Sequence, residues 1–261
     1  MPYVESVEQF VSLVENTGPQ IFRGQTRDWA VLPGILRPTL ADARQRNPEL
    51  EKNLLQRFRL NAAAYIPVLE RTEKPDWWRC AAIAQHHGLP TRLLDWTRNA
   101  LTALYFAVAG KHAAANPAGP DAAAQDSVVF CRPLPEVFTF GKFSRCFPWM
   151  HADGQVMFLQ PDVTHSRIFS QSSLFSVHPG SPVDKVGAEA YAADLQAIRI
   201  RASDCDRIQI GLARLGVHRV SLFPDADSVA SHVVWEVDRR IDRLSDRVML
   251  GISDQESLGS R

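Results

Sequence analysis

The chain has 261 residues, with Lys plus Arg equal to Asp plus Glu at 29 each, so it carries no overall basic footprint for nucleic acid. Its 45% hydrophobic and 22% charged residues suit a globular protein with an ordinary core, and no apolar run approaches the roughly 18–20 residues of a membrane span. MPYVESVEQF has two early acidic residues and no basic stretch before an apolar core, so it does not read as a signal peptide. Cys80, Cys131, Cys146 and Cys205 show no CxxC pairing, and a cytoplasmic protein without a membrane partner is expected.

Ser6-Val-Glu-Gln9 has the form of a capping box, and Val7, Phe10, Val11 and Val14 follow at helical spacing until Asn16 and Gly18. QIFRGQ (20–25) is a short strand that breaks at Gly24. Asn47-Pro48 opens a helix with Leu50, Leu54, Leu55 and Phe58 on one face, running to about Leu69. Asp76 caps the next helix, which ends at His86-His87 because Gly88 supplies a left-handed stop and Pro90 forbids continuation. TRLLDW (91–96) is then a strand and NALTALYFAVAG (99–110) a helix. Residues 113–126 are small and Pro-containing, a surface loop, and 127–133 is a strand. Residues 137–160 are aromatic-rich and take no assignment. RIFSQSSLFSVHP (167–179) reads as one or two strands and LQAIRIRA (195–202) as another. Asp204 caps a helix ending near Gly216, RVSLF (219–223) is a strand, and Asp227 starts the last helix. Strands and helices interleave without regular βαβ spacing, so a single α+β domain is expected, with its core at about 20–230 and a disordered tail at 248–261.

AQHHGLPTRLLDWT (84–97) concentrates the chemistry. Gly88-Leu-Pro90 is turn chemistry, but Arg92 and Asp95 stand in an apolar strand, where buried charges need partners. They form either a structural ion pair or the border of a ligand site. His86 and His87 diverge by about 100° on a helix and lack a carboxylate or His at i+4, so no metal is expected. GxSxG, GxGxxG and GxxxxGK[ST] are absent, which argues against a nucleophile elbow and the common nucleotide loops. Phe22-Arg23-Gly24-Gln25 places an arginine at a strand end, where its fork suits a phosphate or carboxylate. Gln171 lies in an apolar region and must satisfy its amide, and Asp225 follows a strand end as a turn-former or an acid.

IFRGQ with LPGILRP, AQHHGLPTRLLDWTRNALTALYFAV, RIFSQSSLFSVHP and SLFPD together resemble the FRG domain, a bacterial family named for its Phe-Arg-Gly. The resemblance runs from about Gln20 to about Ala230. A remoter similarity is to ADP-ribosyltransferases. Phe22-Arg23-Gly24 looks like their first-strand arginine, and Leu93 to Thr97 with Ala103-Leu-Tyr-Phe-Ala107 like their hydroxyl strand and following helix. Gln171 before Phe175-Ser-Val177 looks like their late strand, with a glutamine where a glutamate is expected.

That similarity implies an ADP-ribosyltransferase-like mixed sheet with flanking helices and NAD as substrate. It implies Gln171, Asp95 and Thr97 at the reaction, and Arg23, Gly24, Gln25, Arg37, Arg92, Trp96 and Phe175 around the dinucleotide. Arg23 would hold the pyrophosphate, Thr97 the ribose, and Trp96 and Phe175 would stack on nicotinamide. An amide cannot take a proton as a glutamate does, so the base would be Asp95, Asp225 or Glu236, or none is needed. A toxin or phage-defence effector modifying an unidentified protein or nucleic acid is one reading. The alternative is a non-catalytic recognition module, in which Arg23, Arg37, Arg92 and Asp95 hold a nucleotide, a nucleic-acid end or a peptide.

Overall fold

The computed structural model describes residues 2–47, 49–69, 75–109, 125–139, 156–160, 173–178 and 195–239. Most of the expected 113–126 loop, the 248–261 tail and Gln171 lie outside them.

Strands β1 (Tyr3–Val4), β2 (Gln20–Gln25), β3 (Leu93–Thr97), β4 (Ser127–Pro133), β5 (Val137–Thr139), β6 (Met157–Gln160), β7 (Ser173–Val177) and β8 (Gln196–Ile200) form one sheet, in the order β1-β8-β4-β2-β3-β7-β6-β5. The β1–β8 and β5–β6 pairs are parallel and the rest antiparallel, a mixed sheet as expected of an α+β domain. The helices are α1 (Val7–Val14), α2 (Ala41–Arg46), α3 (Leu50–Ala62), α4 (Trp77–His86), α5 (Ala100–Val108), α6 (Cys205–Arg214), α7 (Arg219–Leu222) and α8 (Ala226–Arg239). None of these is long and apolar enough to cross a membrane.

The sheet has a seam. β2 pairs with β4 through six residues and β3 with β7 through five, yet β2 and β3 meet through one pair, Phe22 with Thr97. Each half has its own cover. Phe22, Val129, Cys131, Ile198 and Ile200 pack against residues of α1, α5 and α6, and Val4 of β1 joins the same cluster. Leu93, Leu159, Phe175 and Val177 pack instead with Leu55 of α3 and Trp78, Ala81 and Ala84 of α4. Ile21, Leu94, Trp96, Phe158 and Leu174 form a third cluster. Strand alternation explains the split, since Leu94 and Trp96 must point opposite to Leu93 and Asp95.

Two glycines shape the centre. A Cβ on Gly24 would stand 1.9 Å from the Ala103 carbonyl oxygen and 2.6 Å from the Ala107 nitrogen, so its absence lets α5 lie directly on β2. Gly88 has φ of 88° and stops α4, with Leu89 N–H donating to the Ala84 carbonyl at 2.9 Å.

Local signals were followed with small shifts. Ser6 Oγ accepts from Gln9 N–H at 3.3 Å, but the Gln9 side chain reaches Glu5 N–H, one residue earlier than a standard box. α3 ends at Ala62 rather than near Leu69, and a short 3₁₀ turn at Pro67–Leu69 follows, Pro67 barring a continuous helix through Ile66. The expected strand at 219–223 is instead α7. His218 N–H donates to Ser221 Oγ at 3.0 Å, and Leu222 and Phe223 pack into or against the core from a single turn.

Candidate functional site

The seam between β2 and β3 opens into a cavity of about 320 Å³, bordered by Arg23, His86, Asp95, Thr97 and Ser173 together with Phe22, Phe106 and Phe223. A second cavity of about 450 Å³ adjoins it and is bordered by Arg23, Arg37, Thr39, Gln85, Thr91 and Asp95. Arg23 and Asp95 line both. Cavities of this size are typical of small-molecule sites.

Arg23 is held in two directions. Its Nη1 donates to the Asp95 carbonyl oxygen at 2.8 Å, and its Nε donates to Gln25 Oε1 at 3.2 Å. The first bond links the two halves where the strand ladder has opened. Gln25 is buried, and its own amide donates to the Trp29 carbonyl at 2.9 Å. Asp95 is exposed, and its Oδ2 accepts from Gln85 Nε2 at 2.9 Å. Thr91 Oγ1 accepts from Leu93 N–H at 3.2 Å and donates to Gln85 Oε1. The Thr97 hydroxyl accepts from Asn99 N–H at 3.0 Å, while Asn99 caps α5 through Leu101 and Thr102 N–H.

The structure thus brings Arg23, Asp95 and Thr97 to one cavity and Arg37 to its neighbour. Gln171 lies outside the described residues, two positions ahead of Ser173, which borders the first cavity. Gly24 borders that cavity too, but its requirement comes from α5. Gln25 acts behind Arg23 rather than beside a ligand.

Two expectations are corrected, those for Arg92 and Phe175, and the one for Trp96 is narrowed. Arg92 is 5% exposed and belongs to Glu51: its Nε donates to Glu51 Oε2 at 2.7 Å and its backbone N–H to Glu51 Oε1 at 3.1 Å. With both carboxylate oxygens engaged, the pair is structural. Trp96, 2% exposed, donates its indole N–H to Ser176 Oγ at 2.9 Å, and its ring packs edge-on to Phe158. Phe175, 5% exposed, is part of the core beside Leu93. Trp96 nonetheless borders the first cavity along with Phe22, Phe106 and Phe223, whereas Phe175 borders neither; the Phe106 and Phe223 centroids are 5.8 Å apart.

The three candidate carboxylates also separate. Asp225 caps α8, accepting from Ser228 N–H at 2.7 Å, and Glu236 contacts His232 at 3.3 Å. Asp95 is the one of these that borders the cavity. Burial pushes the Cys80 thiol up to about 11 and raises that of Cys131, which disfavours thiolate chemistry at either. Among the described residues no group of His, Cys, Asp and Glu is placed to hold a metal ion.

Sequence reading missed Gln85, Phe106, Phe223 and Ser173. Gln85 had a signal, a lone amide in the apolar stretch CAAIAQ; Phe106 and Phe223 stand within the quoted motifs without a role, since only the tertiary fold leaves them at a concavity. No curated protein and no solved structure matches the chain. The family model of the FRG domain matches residues 18–116, and this stretch, which supplies Arg23, Gln85, Thr91, Asp95 and Thr97, is therefore similar to that family.

Proposed function

We propose that the seam cavity binds NAD and transfers its ADP-ribosyl group to a macromolecular acceptor in the cytoplasm. One observation carries the reading: Arg23 of β2, Asp95 and Thr97 of β3 and Ser173 of β7 border one cavity although they are far apart in sequence. Arg23 and Arg37 both border the adjoining cavity, and a planar guanidinium fork suits the oxygens of a pyrophosphate. The nicotinamide end would then lie among Phe106, Phe223 and Thr97.

Nicotinamide leaves with the electron pair of the bond to ribose C1′, and the ribose becomes oxocarbenium-like. The exposed Asp95 carboxylate stabilises that charge. An acceptor nucleophile then bonds to C1′ and gives its proton to Asp95 or to water. Gln171 is proposed to bind a ribose hydroxyl through its amide.

That same residue favours the second reading. A glutamine, unlike a glutamate, takes no proton, which suits a recognition module that holds a nucleotide intact. Mass spectrometry of NAD with cell lysate, comparing wild type with Arg23→Ala and Gln171→Ala, separates the two. Losing a charged hydrogen bond to phosphate should weaken NAD binding about ten- to hundredfold in Arg23→Ala, with nicotinamide release falling alongside. Wild type that binds NAD without releasing nicotinamide points to recognition. Wild type that does neither removes the dinucleotide reading.

A further inference from the structure

We infer that Gln85 is a positioning residue for Asp95, set in its orientation by Thr91, and that this relay aims one carboxylate oxygen at the cavity. The inference rests on the proposed reaction at this site and adds to it two residues without a role there so far.

The hydrogen-bond directions are forced. Leu93 N–H can only donate, so Thr91 Oγ1 accepts at 3.2 Å and has its own hydrogen to give. That hydrogen goes to the side-chain oxygen of Gln85. The two ends of a side-chain amide are easily interchanged, but here the Asp95 carboxylate can only accept and so takes Nε2 at 2.9 Å, which leaves the amide oxygen to receive the Thr91 hydrogen and hold that orientation. Asp95 Oδ2 is occupied by this donor, and the Asp95 carbonyl is occupied by Arg23 at 2.8 Å. Both ends of the residue are held, which restricts where the carboxylate can turn. Among the described residues Oδ1 has no hydrogen-bond donor, and Asp95 borders both cavities.

Burial supports this direction of control. Thr91 is 1% exposed and Gln85 half-buried, whereas Asp95 is exposed. A rigid, dry anchor therefore holds a wet, reactive end, the arrangement that keeps a reacting group in productive geometry.

Gln85→Glu is the decisive variant because it keeps the shape and reverses the chemistry. Thr91 can still donate to the new carboxylate, but that group has no hydrogen for Asp95 and repels it. The expected result is a loss of kcat of up to about a hundredfold near neutral pH, with KM little changed. Activity should then recover relative to wild type as the pH is lowered, because the protonated carboxyl again donates to Oδ2. A residue that only packs would give a pH profile parallel to wild type, and that result overturns the inference. Thr91→Val and Thr91→Ser supply the second comparison: serine should keep turnover close to wild type and valine should lose it, and equal turnover in both also overturns it.

The relay is separable from the NAD reading. In the wild-type protein the Gln85 side-chain NH₂ resonances should shift on Asp95→Asn and on Thr91→Val, whether or not nicotinamide is released. Resonances indifferent to both substitutions overturn the relay. Resonances that respond, in a wild type that does not consume NAD, uphold the anchoring of Asp95 and count against the reaction alone.

Discussion

Arg92 and Asp95 stand three residues apart in TRLLD, and each reads in sequence as half of an ion pair or as the border of a ligand site, yet they live in opposite environments. Arg92 is shut away with Glu51, the two side chains 6% and 5% exposed, and Arg92 engages both carboxylate oxygens. Asp95 is exposed, with one oxygen anchored by Gln85 and the residue facing two cavities. The difference shows how a short charged motif divides its labour. A charge enclosed with a matched partner ties α3 to the start of β3. A charge anchored at one oxygen is left available to a ligand.

The sharpest way to break this comparison is to remove each carboxylate in turn. Glu51→Ala leaves the Arg92 guanidinium buried without its partner and should cost about 3–5 kcal/mol of stability, read from urea denaturation. Asp95→Asn keeps the shape at an exposed site and should change stability by no more than about 0.5 kcal/mol, while abolishing any nicotinamide release. Equal destabilisation in the two would mean that Asp95 is as structural as Arg92. Gly24→Ala comes next. Its methyl would meet the backbone of α5, so a loss of about 1–3 kcal/mol is expected, with a matching fall in thermal midpoint. A variant of unchanged stability would show that α5 can move off β2, and Gly24 would then join Arg23 at the ligand rather than the packing.

Much of the fold was legible because its signals are local. Gly88 with Pro90 ends α4 as read, Asp76 and Asn99 cap their helices, and strand alternation set Leu93 and Asp95 against Leu94. The site was legible in part. Arg23 and Asp95 stood out as charges in short strands, and their convergence follows from a topology that puts β2 beside β3. What sequence hid was partner choice. Glu51 looks like an ordinary acidic residue in the first turn of a helix, and nothing in its neighbours announces Arg92, 41 positions away. Trp96 carried the same ambiguity, since its ring could face a ligand or a core until Ser176 took its indole N–H. The strand expected at 219–223 failed for a related reason: a short, partly apolar run suits a short strand and a single helical turn alike.

A weaker instance of the enclosed charge lies at His218, and it gives the smallest predicted effect. Its ring stacks on His232 with centroids 4.4 Å apart and 7° between planes, and Glu236 of α8 adds the only opposing charge acting on it among the described residues. Burial first and the neighbouring imidazole second hold the His218 pKa below its ordinary 6.5, against the pull of Glu236. A folded-state pKa below the unfolded one means that the unfolded chain takes up the proton first. Stability from this group is therefore complete above 6.5 and falls as the pH drops below it, until the folded imidazole is protonated as well. Denaturation midpoints at about pH 7.5 and about pH 5.5 should fall further in wild type than in His218→Phe, which keeps a ring to stack but cannot titrate. An equal fall in both would assign the acid sensitivity elsewhere and leave His218 as packing alone.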